Sequence, residues 1–199
     1  DFVNVENITS CFVTGRNLGF KFSGGINGLS LSANSVEGCD NGMVFEGEIN
    51  PINIDSNYFE SITGAAIDMT HASAKRAVTI NNNWFYTVGT GISGVQMTGG
   101  EIGDGNYFKT VTTKVSITDN TSTIRVRIPQ RFIADNTTLT PASASSIGYQ
   151  LGANIDLVWR STVFSAATGR AIISTLSAGQ TVDLPYYGYV DYVPGKVPF

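Results

Sequence analysis

The sequence predicts an all-β fold: a right-handed parallel β-helix over residues 1–118, then a small antiparallel β-sandwich-like domain over residues 124–199. Three observations predict it. An Asn, one further residue and then a bulky apolar one recur every 23–26 residues; short alternating apolar and polar stretches flank each copy; and strong helix formers never gather into an amphipathic stretch.

Four copies fall into register: Asn34-Ser35-Val36, Asn57-Tyr58-Phe59, Asn83-Trp84-Phe85 and Asn106-Tyr107-Phe108. A weaker first copy is Ser10-Cys11-Phe12, giving spacings of 24, 23, 26 and 23 residues. Before the anchor lies an alternating strand, as in Leu29-Ser30-Leu31, Ile52-Asn53-Ile54 and Val78-Thr79-Ile80. Five residues beyond the Asn stand Cys39, Ile62, Val88 and Val111. Farther on comes a second alternating pair: Phe20/Phe22, Met43/Phe45, Ile67/Met69, Val95/Met97 and Val115/Ile117. Each unit thus holds about three short strands separated by turns. One unit cannot bury its own apolar face, whereas stacked units share a continuous core. Parallel crossovers take the right-handed sense. The recurrent Asn has a structural use, because it tolerates a left-handed bend, bonds neighbouring backbone and stacks along the axis as an amide ladder.

The repeat decays at the fifth unit, where Gly103 stands at a position that calls for Ile. Residues 119–123 read as a polar linker. Beyond it, residues 124–128 and 154–159 alternate, and 171–173 and 182–184 look like further strands, without any Asn-x-Phe frame. They are expected to pair antiparallel in a separate module. Its densest aromatic stretch, residues 185–192, is expected at a seam between subunits or, alternatively, at a second sugar-binding patch.

Charge narrows the function. A net charge of −4 and a pI near 4.9 argue against a nucleic-acid partner. No apolar run approaches the roughly 20 residues that span a bilayer, so no membrane insertion is expected. No leader pattern opens the chain, which starts at Asp1 inside the repeat and is expected to be part of a longer protein. Cys11 and Cys39 differ in repeat position and are expected as free thiols. His71, the single histidine, lies in the longest loop between strands and makes a His-based metal site or a Ser-His-Asp triad improbable. No metal and no cofactor are expected.

Outward positions form columns along the stack. The residue after the Asn gives Cys11, Ser35, Tyr58, Trp84 and Tyr107, so three consecutive aromatics are expected to form a flat stacked strip. The next column holds Glu37, Glu60, Tyr86 and Lys109. Sugar rings pack their C–H faces on aromatic surfaces while their hydroxyls seek polar neighbours, which makes Tyr58, Trp84, Tyr86 and Tyr107 the substrate-binding candidates. The alternative is that the strip packs against another subunit or a long loop. Glu37 and Glu60 fall on adjacent coils about 5 Å apart, a spacing suited to a retaining glycosidase, and make the catalytic candidates. Two carboxylates so placed are expected to drive one pKa upward; the alternative is an ordinary solvated face. A third column, Lys21, Val44, Asp68, Gln96 and Ser116, together with Asp55 (beside Ser32 and Asn81) and Asp104, offers weaker candidates.

Short β-helix coils with an Asn-x-Phe signature in residues 10–118, followed by a terminal β domain, resemble the distal part of a bacteriophage tailspike. The resemblance implies a homotrimer on the virion, extracellular to the host during attachment. It implies binding of a bacterial surface polysaccharide, O-antigen or capsule, and in the parent protein its hydrolysis by an endoglycosidase. That active site would lie here or in coils beyond this chain. The C-terminal domain would hold the trimer together or bind carbohydrate. The coils also resemble pectin-degrading enzymes, without the Asp clusters of a pectate lyase. A noncatalytic binding or adhesin module and a secreted polysaccharide lyase are the other readings.

Overall fold

Alternation turns every second side chain inward, and in the structure, a computed structural model, those side chains form one continuous core along stacked parallel strands. The structure describes residues 2–71, 74–95 and 97–118, and beyond them the strands Ile124–Ile128, Ile147–Leu151, Ile155–Trp159, Arg170–Ser174 and Val182–Asp183.

Two sheets wind around the core. Numbered in chain order, β1 (Phe2–Thr9), β4 (Gly25–Ser32), β7 (Ile49–Asp55), β9 (Lys75–Asn81) and β11 (Met97–Ile102) lie side by side, all parallel. The other sheet starts as two short arms, β2 (Phe12–Thr14) with β5 (Ser35–Glu37), and β3 (Leu18–Phe22) with β6 (Asn41–Phe45). From the third coil one strand covers both arms: β8 (Tyr58–Met69) pairs with β5 and β6, followed by β10 (Trp84–Val95) and β12 (Tyr107–Thr118). The expected parallel coils are therefore present.

The buried Asn residues tie the coils together. Asn57 sends its backbone N–H and its Nδ2 to Oδ1 of Asn83, both at 2.9 Å. Asn83 does the same to Asn106 at 3.1 and 3.0 Å, and Asn34 to Asn57 at 3.0 and 2.9 Å. Each Nδ2 also reaches a carbonyl of the neighbouring sheet, Ile8, Leu31, Ile54 or Ile80. One residue on, Phe59, Phe85 and Phe108 stack with centroids 5.1 and 4.7 Å apart and planes within 8° of parallel. Cys39, Ile62, Val88 and Val111 are buried as expected.

Four expectations change. The first copy is slipped by one residue: Phe12 pairs with Ser35 and Val13 with Val36, while the N–H of Cys11 bonds Oδ1 of Asn34 at 3.0 Å. Cys11 thus fills the Asn place, and a slip of one reverses which side chains face out. Both cysteines are free, as expected. In the fourth coil Ile92 and Gly94, not Val95 and Met97, lie opposite Ile67 and Met69, so Ser93 replaces Gln96 in the outer column between Asp68 and Ser116. At the fifth coil Ile102 pairs with Ile80 and is buried; the missing side chain is at Gly100, opposite Val78. A Cβ there would meet Val78 backbone, so only glycine fits.

The fourth concerns the end of the chain. The strands β13 (Ile124–Ile128), β15 (Ile155–Trp159) and β17 (Val182–Asp183) continue the first sheet, and β14 (Ile147–Leu151) and β16 (Arg170–Ser174) the second. All of these pairings are parallel, so the antiparallel sandwich is not shown among the described residues. A period of two marks a strand but carries no information about the direction of its partner. The linker 119–123 and the aromatic stretch 185–192 lie outside the described residues.

Two lysines of the described strands, Lys75 and Lys114, are buried. Lys114 is buried, and desolvation holds its ammonium down at about 8. Burial lowers Lys75 likewise, against the charge of Asp68, and its Nζ donates to the His71 carbonyl at 2.8 Å. The unfolded chain keeps the Lys114 proton up to the ordinary value of 10.5, while the folded chain releases it near pH 8. Stability is therefore expected to rise across that window, by about 3 kcal/mol. Urea unfolding at stepped pH checks this; a flat profile, or one that Lys114→Met leaves unchanged, would contradict it.

Candidate functional site

Side chains that alternate outward from β5, β8, β10 and β12 build two adjacent columns on the arm that carries the Asn and Phe ladders. Register places Phe12, Ser35, Tyr58, Trp84 and Tyr107 in the first, and Thr14, Glu37, Glu60, Tyr86 and Lys109 in the second. The expected binding and catalytic candidates thus share one face. The slipped first coil replaces Cys11 by Phe12, which is 64% exposed; Trp84 is 45% exposed. Tyr58, Tyr86 and Tyr107 are half-buried.

The strip is not flat. Trp84 and Tyr107 touch with centroids 4.3 Å apart, but their planes cross at 44°. Tyr58 is drawn sideways instead, its hydroxyl donating to Oε2 of Glu60 at 2.6 Å. That bond, with burial and the nearby charges of Glu60 and Glu37, pushes the phenol up to about 12. Glu37 accepts from the Ser35 hydroxyl at 2.8 Å. Each carboxylate is therefore aimed by a neighbour on its own strand, and Glu37 and Glu60 are direct partners across adjacent strands. Farther up the column the Lys109 ammonium sits over the Tyr86 ring, 5.2 Å from its centroid.

Beside these columns the coil turns a corner, and the corner is strained. Its first two residues are Gly15 and Gly38, at φ 63° and 61°. In the next three coils the place is taken by Ser61, Thr87 and Thr110, still at φ 55°, 55° and 57°. A β-branched residue in this region is an outlier that costs on the order of 1 kcal/mol. These three hydroxyls, with Thr63, Thr112, Gly89 and the edges of Ile62 and Val88, line a shallow cleft of about 430 Å³. Strain and cleft coincide, which marks the cleft as a functional candidate. The sequence carried a signal for it, Ser and Thr recurring where earlier coils have Gly.

The remaining candidates are dispersed. Asp68 accepts from the Thr70 N–H and hydroxyl and, at 3.4 Å, from Ser93. Asp55 pairs in register with Ser32 and Asn81 and accepts from Ser56 and Asn82. Asp104 is exposed in a turn, and His71 is exposed. None joins the Glu37–Glu60 face. A second cleft, about 470 Å³, lies on the other sheet around Asn7, Ser30, Asn53 and Thr79. Among the described residues no group of three or more His, Cys, Asp or Glu could hold a metal ion, and no helix is long and apolar enough to cross a membrane.

No known protein family, curated protein or solved structure matches this chain.

Proposed function

We propose that the outward face of the second to fifth coils binds a bacterial surface polysaccharide, O-antigen or capsule, as the distal part of a trimeric phage tailspike. On this reading the helix is right-handed, as its crossovers favour, and the residues from 124 onward join the subunits or bind further sugar. The observation that carries it is the coupling of exposed aromatic surface with aimed polar groups. Trp84 against Tyr107 offers an apolar platform, Tyr58–Glu60 and Ser35–Glu37 offer oriented hydrogen-bonding groups, and the Ser/Thr cleft adds hydroxyls alongside. All of them rest on ladders of buried Asn and Phe, which spare the site an ordering cost on binding.

A second reading, hydrolysis at this face, is favoured by one observation: Glu37 and Glu60 are register partners, each hydrogen-bonded from its own strand. Retention needs two carboxyls at about that separation. Reducing-end release from O-antigen or capsule tests it. Loss of at least about a hundredfold is expected in both Glu37→Gln and Glu60→Gln. Activity unchanged in both would remove the pair as catalysts and leave binding alone. Light scattering is expected to give three times the 21.2 kDa chain mass, and a clean monomer would count against the tailspike reading.

The strained corner yields a separate expectation. Thr87→Gly removes a β-branched side chain from φ 55° and should stabilise the fold by up to about 1 kcal/mol. The same change should weaken glycan binding, because it strips a hydroxyl from the cleft. Denaturant unfolding and glycan titration of the one variant check both halves; weaker folding, or undiminished binding, would contradict the assignment.

A further inference from the structure

The second column changes sign along the helix axis. Glu37 and Glu60 occupy adjacent rungs, Tyr86 the next, and Lys109 the one after. Lys109 is exposed and forms no ion pair among the described residues. Its ammonium rests on the Tyr86 ring, and the same strand carries Tyr107, the partner of Trp84. Glu60 lies two rungs away, about 10 Å along the axis, too far to neutralise an exposed lysine in water. A cation with no carboxylate of its own thus borders the most apolar part of the strip, in a chain whose net charge is −4.

We propose that the Trp84–Tyr107 end of the strip takes an acidic sugar, with Lys109 as the group that recognises its carboxylate. This rests on the glycan reading of the face and adds the chemical class of the sugar. The ring of the sugar packs on Trp84 and Tyr107 while its carboxylate draws the Lys109 ammonium off Tyr86. Glu37 and Glu60 repel a second carboxylate, so the sugars over them are neutral. The ligand is therefore a heteropolysaccharide whose acidic residues are spaced by at least two neutral ones, not a polyuronate.

Three linear probes separate these claims: deacylated gellan oligosaccharides, with one uronate in each four-sugar repeat, hyaluronan oligosaccharides and oligogalacturonate. Each is titrated calorimetrically beside its carboxyl-reduced form. Gellan is expected to bind about three- to fivefold more tightly than its reduced form, the scale of one exposed ion pair. Lys109→Gln should bring that ratio to one, Lys109→Arg should keep it, and added salt should erase it. Oligogalacturonate, with a carboxylate on every rung, should gain nothing from its charges. A ratio of one in the wild type, or one that survives Lys109→Gln, overturns the acidic-sugar inference. If the reduced forms then still bind and lose affinity in Trp84→Ala, the glycan reading stands without it. Failure of all six ligands to bind overturns both.

Discussion

Asn83→Leu is expected to destabilise the fold by roughly 4 kcal/mol or more. The side chain accepts from the N–H and Nδ2 of Asn57 and donates to Asn106 Oδ1, Ile54 O and Asn81 O. Leucine is similar in size but meets none of these, so several buried groups lose partners at about 1–3 kcal/mol each. Neighbouring coils share those bonds, so the loss propagates along the stack. Asn34→Leu should cost less. Its Oδ1 accepts from the Cys11 N–H alone in the coil before, because a cysteine there has no amide to add. Chemical denaturation of the two variants gives the comparison, and equal costs would show that the amide ladder is not what couples the coils.

Trp84→Ala is expected to reduce glycan affinity by about thirtyfold, equivalent to about 2 kcal/mol, the scale of an aromatic hot spot. Stability should change little, since Trp84 is 45% exposed and stands on the outer face of β10. Its loss removes one half of the Trp84–Tyr107 pair and leaves the Phe59–Phe85–Phe108 ladder behind it untouched. Oligomer mass separates this from the competing role. A trimer that persists while sugar binding falls places Trp84 in the groove; a trimer that falls apart places it between subunits.

The features that recurred with identical chemistry were legible in the sequence. Buried Asn and Phe return at the same place in successive coils, because each must meet its own kind above and below. Register among Tyr58, Trp84 and Tyr107, and between Glu37 and Glu60, followed from that frame. The first coil escapes the frame because Cys11 occupies an Asn place with only its backbone amide, so Ser10 is the better match in sequence. Phe12 was thereby placed in the core instead of outside. At the fifth coil the irregular residue is Gly100, opposite Val78, whereas the repeat read from sequence puts the irregularity at Gly103, where it calls for Ile.

The cleft was hidden for a different reason. Ser61, Thr87 and Thr110 read as ordinary polar turn residues, and their left-handed backbone becomes visible only against Gly15 and Gly38 one to four coils earlier. Pair geometry was also beyond sequence reach: the same outward column gives a tilted Trp84–Tyr107 contact and a Tyr58 committed to Glu60. Strand direction after residue 118 is not legible in the sequence, because alternation is identical in parallel and antiparallel partners.

Glycan binding, proposed for this face, is read at the indole N–H signal of Trp84. Oligosaccharides cut from bacterial O-antigen and capsule, titrated into labelled protein, are predicted to shift that signal saturably. Saturable binding with Trp84 unmoved would contradict the account.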